Sequence, residues 1–236
     1  SLTPSRPSIH AICTLFDPDN GTPVAVVDGD LVTRWKTVAD SLLGSRLLAR
    51  PDAKVLTIVG AGAVARALIE GYRALFPQLE TILIWNRTFA RAQTLASQTE
   101  TQAVENLADA LAQSDIVSSA TMATEPVIPG QWIKPGTQMD LIGALRPDMR
   151  EADDALIQRA ELFVDSRATA MHDIGELGIP LASGVIAESD VRADLYDLCQ
   201  GAAGRGSEHS ITLYKNGGGA HLDLMTALYI RQVSMQ

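Results

Sequence analysis

From Val55 onward, short apolar runs alternate with segments whose apolar residues recur at helical spacing. The strand-like runs are Val55–Val59, Thr81–Trp85, Asp115–Ala120, Thr137–Ile142 and Glu161–Asp165, with helical runs such as Ala63–Phe76 and Phe89–Gln98 between them. This alternation predicts an α/β fold with a parallel, doubly wound sheet. Ligands of such sheets bind beyond the carboxyl ends of the strands, which directs attention to the loops after Val59, Trp85, Ala120 and Ile142.

The flanks read differently. Ile9–Leu15 and Pro23–Val27 are strand-like, and the turn-forming Asp17-Pro-Asp-Asn-Gly21 between them predicts a hairpin. Thr33 is placed to cap a helix running to about Ala49, with Trp35, Val38, Ala39, Leu42, Leu43 and Leu47 on its apolar positions. The last third predicts a helix over Glu188–Cys199, a glycine-rich stretch Gly201–Gly206, a strand over Ser210–Tyr214 and a final helix over Leu224–Val233. Between the last two lies Lys215-Asn-Gly-Gly-Gly-Ala-His-Leu-Asp223.

Composition narrows the function. Apolar residues make up 46% of the 236, enough for a sizeable core, yet no run approaches membrane-spanning length and no signal-peptide pattern opens the chain. A formal charge of −9 argues against nucleic acid as a partner. Cys13 and Cys199 lie far apart in apolar surroundings, which predicts buried thiols in a reducing, cytoplasmic setting. The histidines, His10, His172, His209 and His221, lack metal-ligand spacing, so no metal site is expected.

The most specific chemistry follows the first strand of the alternating region. Val55–Val59 leads into Gly60-Ala-Gly62-Ala63-Val64-Ala65 and then a helical pattern, a dinucleotide fingerprint in its strand–turn–helix context. Gly60 permits the turn, and Gly62 lets the backbone approach a pyrophosphate at the helix N-terminus. An NAD site carries Asp or Glu at the end of the next strand; here the chain reads Asn86-Arg87-Thr88. A guanidinium flanked by small polar side chains suits a 2′-phosphate, so NADPH is the expected cofactor and NADH the less favoured one.

These motifs, together with Leu15-Phe-Asp17, Asp28-Gly29, Lys36-Thr-Val-Ala39, Ala123-Thr-Glu-Pro126, Ile142-Gly-Ala-Leu-Arg-Pro-Asp-Met-Arg-Glu151 and Lys215 to Asp223, resemble the ornithine cyclodeaminase/mu-crystallin family along the whole chain. The resemblance implies a Rossmann-type domain (51–215) inserted in a discontinuous substrate-binding and dimerisation domain formed by 1–50 and the terminal helix, 216–236. It implies a homodimer. It also implies a further N-terminal segment, which family members carry and which accounts for the opening on Ser1-Leu-Thr-Pro without an initiator Met.

Within the family three features discriminate. The residue aligned with the Asp that handles the substrate amine in cyclodeaminases is Leu145, which cannot accept a proton; nearby Asp148 and Glu151 are read as caps of the following helix. Lys36-Thr37 stands where the family usually has Arg-Thr, so Lys36 is expected to hold the substrate carboxylate, although a solvated pair with Asp40 would fit the spacing as well. Arg87 points to NADPH and hence to net reduction. The expected activity is therefore reduction of a cyclic 2-imino acid, Δ1-pyrroline-2-carboxylate or its six-membered homologue, to L-proline or L-pipecolate. His221 is the candidate proton donor. Cofactor contacts are expected from Thr37, Gly60, Gly62, Ala63, Val64, Asn86, Arg87, Thr88, Thr121, Met122, Ala123 and Gly143, with Thr121 using its backbone and hydroxyl. The competing readings are an ornithine cyclodeaminase or NAD-dependent alanine dehydrogenase, and a non-catalytic NADPH-dependent ligand carrier.

Overall fold

A computed structural model describes residues 11–235. His10 and the first residues of the expected opening strand lie outside the described residues. The described residues form two compact units, 11–37 with 219–235 and 38–218. The division falls at 37/38 and 218/219 rather than near 50 and 215. Its cause is that the second half of the first long helix buries Val38 and Leu48 in the cores of the larger unit.

In the smaller unit, β1 (Ile12–Phe16) and β2 (Pro23–Asp28) form the expected antiparallel hairpin. Helix α1 runs from Gly29 to Leu48. It starts earlier than Thr33, because the Asp28 carboxylate accepts hydrogen bonds from the amides of Asp30 (2.8 Å) and Leu31 (3.2 Å). Leu15, Val27, Val32 and Ala227 make this unit's core, the last contributed by the terminal helix.

The larger unit follows the strand–helix alternation. In order come β3 (Val55–Val59), α2 (Ala65–Leu75), β4 (Thr81–Trp85), α3 (Phe89–Thr99), β5 (Gln102–Ala103), α4 (Leu107–Gln113), β6 (Ile116–Ser119), β7 (Gln138–Leu141), α5 (Asp154–Arg159) and β8 (Glu161–Val164). Then follow α6 (Arg167–Ala170), α7 (Gly175–Ala182), β9 (Val191–Asp194), α8 (Leu195–Cys199), β10 (Thr212–Lys215) and, returning to the smaller unit, α9 (Ala220–Ser234). The sheet order is β5-β4-β3-β6-β7-β10-β8-β9, with every pairing parallel. Strand order reverses between β3 and β6, which is the switch point where a doubly wound sheet opens a crevice.

Two expectations fail here. The helix over Glu188–Cys199 is instead a 3-10 turn, the edge strand β9 and the short helix α8. Pairing with β8 overrides the local helical pattern, and a reciprocal capping box between Asp194 and Asp197 starts the helix only at Leu195. The cysteines are not buried thiols: Cys13 is half-buried and Cys199 exposed, because α8 lies on the surface edge. No helix among the described residues is long and apolar enough to cross a membrane.

Candidate active site

The loop after β3 is built for close approach. Gly60 has φ +112°, and a Cβ there would lie 2.7 Å from the Ala120 carbonyl oxygen. Gly62 is the opposite case, since a Cβ on it would meet nothing within 4 Å. Its bareness serves no neighbour in the protein, which leaves the space beside it for a ligand. Helix α2 begins after this loop without a side-chain cap, and Ala65 is fully buried beneath it. The first-turn amides thus depend on something other than a capping side chain.

A cleft of ≈ 230 Å³ lies at the switch point, lined by the Gly60–Gly62 loop, the Trp85–Thr88 segment with Arg91, and Ala120–Ala123 with Val127. Arg87 is exposed and makes no hydrogen bond or ion pair among the described residues. Arg91, four residues on in α3, lines the same cleft; sequence reasoning missed it, although its spacing from Arg87 was a signal. The lining contains no carboxylate. Asn86 braces the loops: its Oδ1 accepts from the Ala61 amide (3.2 Å) and its Nδ2 donates to the Thr88 carbonyl (2.9 Å). Thr88 occupies the N-cap position of α3 without a side-chain cap hydrogen bond.

On the β6 side, Met122 is exposed in the cleft and the Ala123 carbonyl accepts from the Arg150 amide. Thr121 lines the cleft as well, and its amide (2.8 Å) and its hydroxyl (2.7 Å) both donate to Glu151 Oε1. The Gly143 amide donates to Glu151 Oε2 (2.6 Å). The reading of Glu151 and Asp148 as helix caps is therefore corrected. Asp153 caps α5 by accepting from the Leu156 amide, and Asp148 forms a two-pronged pair with Arg146. Leu145 stands on the loop after β7 with its side chain more than half exposed.

Behind these loops is a buried charge cluster that the sequence did not reveal. Glu151, Glu176 and Lys215 are all fully buried. Glu176 accepts from the amides of Glu151 (2.8 Å) and Ala152 (2.9 Å), while Lys215 Nζ donates to the Leu141 carbonyl (3.0 Å). Burial, reinforced by the charge of Glu151, pushes the Glu176 carboxyl up to about 7. Burial pulls the Lys215 ammonium down, opposed by the surrounding carboxylates. Asp165, at the end of β8, accepts from the amides of Gly217 (2.8 Å) and Gly218 (2.5 Å) and so anchors the glycine loop after β10.

Lys36, Thr37 and His221 belong to the smaller unit. Lys36 Nζ pairs with Asp223 Oδ1 at 3.2 Å, and its side chain is only 16% exposed, so it is not a solvated surface lysine. His221 is half-buried in the first turn of α9, and Thr37 is half-buried on α1. Of the other histidines, His172 pairs with Glu188 on the surface and His209 is exposed.

Fold and cleft together define a Rossmann-type α/β protein with a dinucleotide fingerprint. The chain belongs to the ornithine cyclodeaminase/mu-crystallin family, whose model matches residues 2–236. It is 53% identical over 233 residues to a Delta(1)-pyrroline-2-carboxylate reductase of Paracoccus denitrificans, covering 96% of this chain and 74% of that protein. It is 38% identical to the ketimine reductase mu-crystallin of Mus musculus, over 94% of this chain and 68% of that protein. Among solved structures it is similar to the Thermococcus litoralis Delta(1)-pyrroline-2-carboxylate reductase in complex with NADH and L-proline, with a TM-score of 0.87 and 32% identity over 94% of this chain and 70% of that one.

Proposed function

We propose that this protein reduces a cyclic 2-imino acid with NADPH, forming L-proline from Δ1-pyrroline-2-carboxylate or L-pipecolate from the six-membered homologue. The observation that carries the reaction is the 53% identity, along nearly the whole chain, to a reductase of that name. An aliphatic Leu145 supports it, since deamination needs a group there that can handle an amine.

A bound reduced nicotinamide supplies the hydride. The protein's own residues bind and orient. Gly60 and Gly62 let the main chain approach the pyrophosphate, with Ala63 and Val64 opening the helix beneath it. Arg87, Arg91 and Thr88 hold the 2′-phosphate, and Asn86 keeps that rim attached to the glycine loop. Met122 and Ala123 contact the cofactor from the β6 side. Lys36 holds the substrate carboxylate, steadied by Asp223. His221 keeps the imine nitrogen protonated, so that hydride arriving at the adjacent carbon leaves a neutral amine rather than an anion.

The choice of NADPH rests on the two guanidinium groups and the absence of a carboxylate in the cleft lining. The Thermococcus protein was captured with NADH, so the comparison that matters is the kcat/KM ratio of the two cofactors. A preference for NADH of tenfold or more would overturn the NADPH assignment while leaving the reductase intact. We also propose a homodimer. In the smaller unit Ile12, Phe16 and Val26 of the hairpin, and Leu224, Met225 and Leu228 of α9, leave apolar surface uncovered. A monomer in sedimentation at micromolar concentration would contradict it.

A further inference from the structure

The Glu151 carboxylate joins two loops that sequence places far apart. Oε1 accepts from Ser119 Oγ (2.6 Å), the Thr121 amide (2.8 Å) and Thr121 Oγ1 (2.7 Å), all at the end of β6. Oε2 accepts from the Gly143 amide (2.6 Å), just past β7. The two loops also touch directly, since a Cβ on Gly143 would fall 2.0 Å from the Thr121 carbonyl oxygen. Beyond the last ladder bond, from the Ile142 amide to the Ser119 carbonyl (2.8 Å), their spacing is held by this peptide-to-peptide contact and by one carboxylate.

That carboxylate is itself held from behind. Glu176 takes the amides of Glu151 and Ala152, and the Lys215 ammonium interacts with both carboxylates while bonding the Leu141 carbonyl on the strand leading to Gly143. Three fully buried charged side chains carry a large desolvation cost. Three apolar side chains would fill the same space without that cost, but they could not hold the amides of Thr121 and Gly143. Nor could a glutamine: four donors converge on the group, and an amide would turn its own NH₂ toward one of them.

We propose that Glu151 is a positioning residue for hydride transfer: it fixes the Thr121 and Gly143 loops at the one spacing that presents the nicotinamide to the substrate. The inference rests on the proposed reduction, in that these loops at the carboxyl ends of β6 and β7 are taken as the nicotinamide end of the site. The adenosine end is held elsewhere, by the β3 loop and Arg87. Loosening Glu151 therefore separates binding from chemistry. Misplacement of the order of 1 Å costs about 100-fold in rate when reacting atoms must be held in a near-attack arrangement.

The test is Glu151→Gln, read three ways: NADPH affinity, the emission of bound NADPH (which reports the nicotinamide's surroundings and needs no turnover) and kcat with Δ1-pyrroline-2-carboxylate. The expected result is an affinity within about threefold of the native protein, altered emission and a kcat lowered roughly 10- to 100-fold. Substituting NADPH deuterated at C4 on the transferred face for NADPH should then slow the variant more than the native protein, because hydride transfer has become limiting. Unchanged emission and kcat in a folded variant would overturn the proposal, as would affinity and kcat falling in step with the melting temperature. If Glu151→Gln does not fold, Ser119→Ala removes one donor and should lower kcat a few-fold at unchanged affinity; an unchanged kcat would then overturn it. Should the native protein bind NADPH without reducing the imine, the proposed activity has failed, and the emission change alone still decides the role of Glu151. A native protein that binds no NADPH overturns both.

Discussion

Gly60 lies against the main chain of Ala120, so closely that a Cβ would stand 2.7 Å from the Ala120 carbonyl oxygen, whereas the same atom on Gly62 would meet nothing within 4 Å. Two glycines of one fingerprint thus do different things. One is required by the fold, and the other borders open space where the proposed pyrophosphate would lie.

Gly60→Ala should lose about 2 kcal/mol or more of stability, from the strain of φ +112° and the clash with Ala120. Gly62→Ala should melt close to the native temperature but bind NADPH at least tenfold more weakly. Thermal melts with and without NADPH separate the two. Equal destabilisation of the ligand-free protein by both would show that the space beside Gly62 is not the pyrophosphate site.

Arg87→Ala should raise the KM for NADPH about 10- to 100-fold, the scale of one charge-assisted contact, with little effect on NADH. Arg91→Ala should shift it in the same direction. Equal effects on both cofactors would remove the 2′-phosphate from this rim.

Lys36→Met should raise the KM for the imino acid about tenfold or more while NADPH affinity stays nearly native. Because Lys36 pairs with Asp223, Asp223→Asn should also raise that KM, by a smaller factor. An unchanged KM in Lys36→Met would place the carboxylate elsewhere.

Stability should carry a pH signature from Glu176. Its folded-state carboxyl is raised to about 7 from an ordinary value of 4.5, so the folded chain binds a proton that the unfolded chain has already released between those values. The stability present below pH ~4.5 is lost as pH rises through about 7. In urea titrations, Glu176→Gln should gain relative to the native protein by the order of 1–3 kcal/mol between pH 5 and 8. A constant difference across that range would mean that Glu176 stays ionised throughout.

What could be read from sequence was the part of the site that is local in the chain. The fingerprint, Asn86-Arg87-Thr88 and the strands β3, β4, β6, β7 and β8 each announce themselves within a dozen residues. The misreadings are tertiary. The segment Val191–Asp194 becomes a strand only because β8 offers an edge. Glu151 looked like a helix cap because an acid shortly before a helix usually is one; its partners, Ser119 and Thr121, lie 32 and 30 residues away. Lys215 sits beside the Gly217–Gly219 run, where a lysine suggests a loop or an anion, yet it ends a central strand and is fully buried. Arg91 alone was within reach of local reasoning, as the residue one helical turn beyond Arg87.

The central claim is that hydride from the cofactor arrives at the imine carbon. The direct measurement is to incubate the protein with Δ1-pyrroline-2-carboxylate and NADPH deuterated at C4 of the transferred face, then locate the label by mass spectrometry and proton NMR. The account predicts L-proline carrying one deuterium at Cα. Unlabelled product, or no proline together with ammonia released from ornithine or alanine in the presence of NAD⁺, would contradict it.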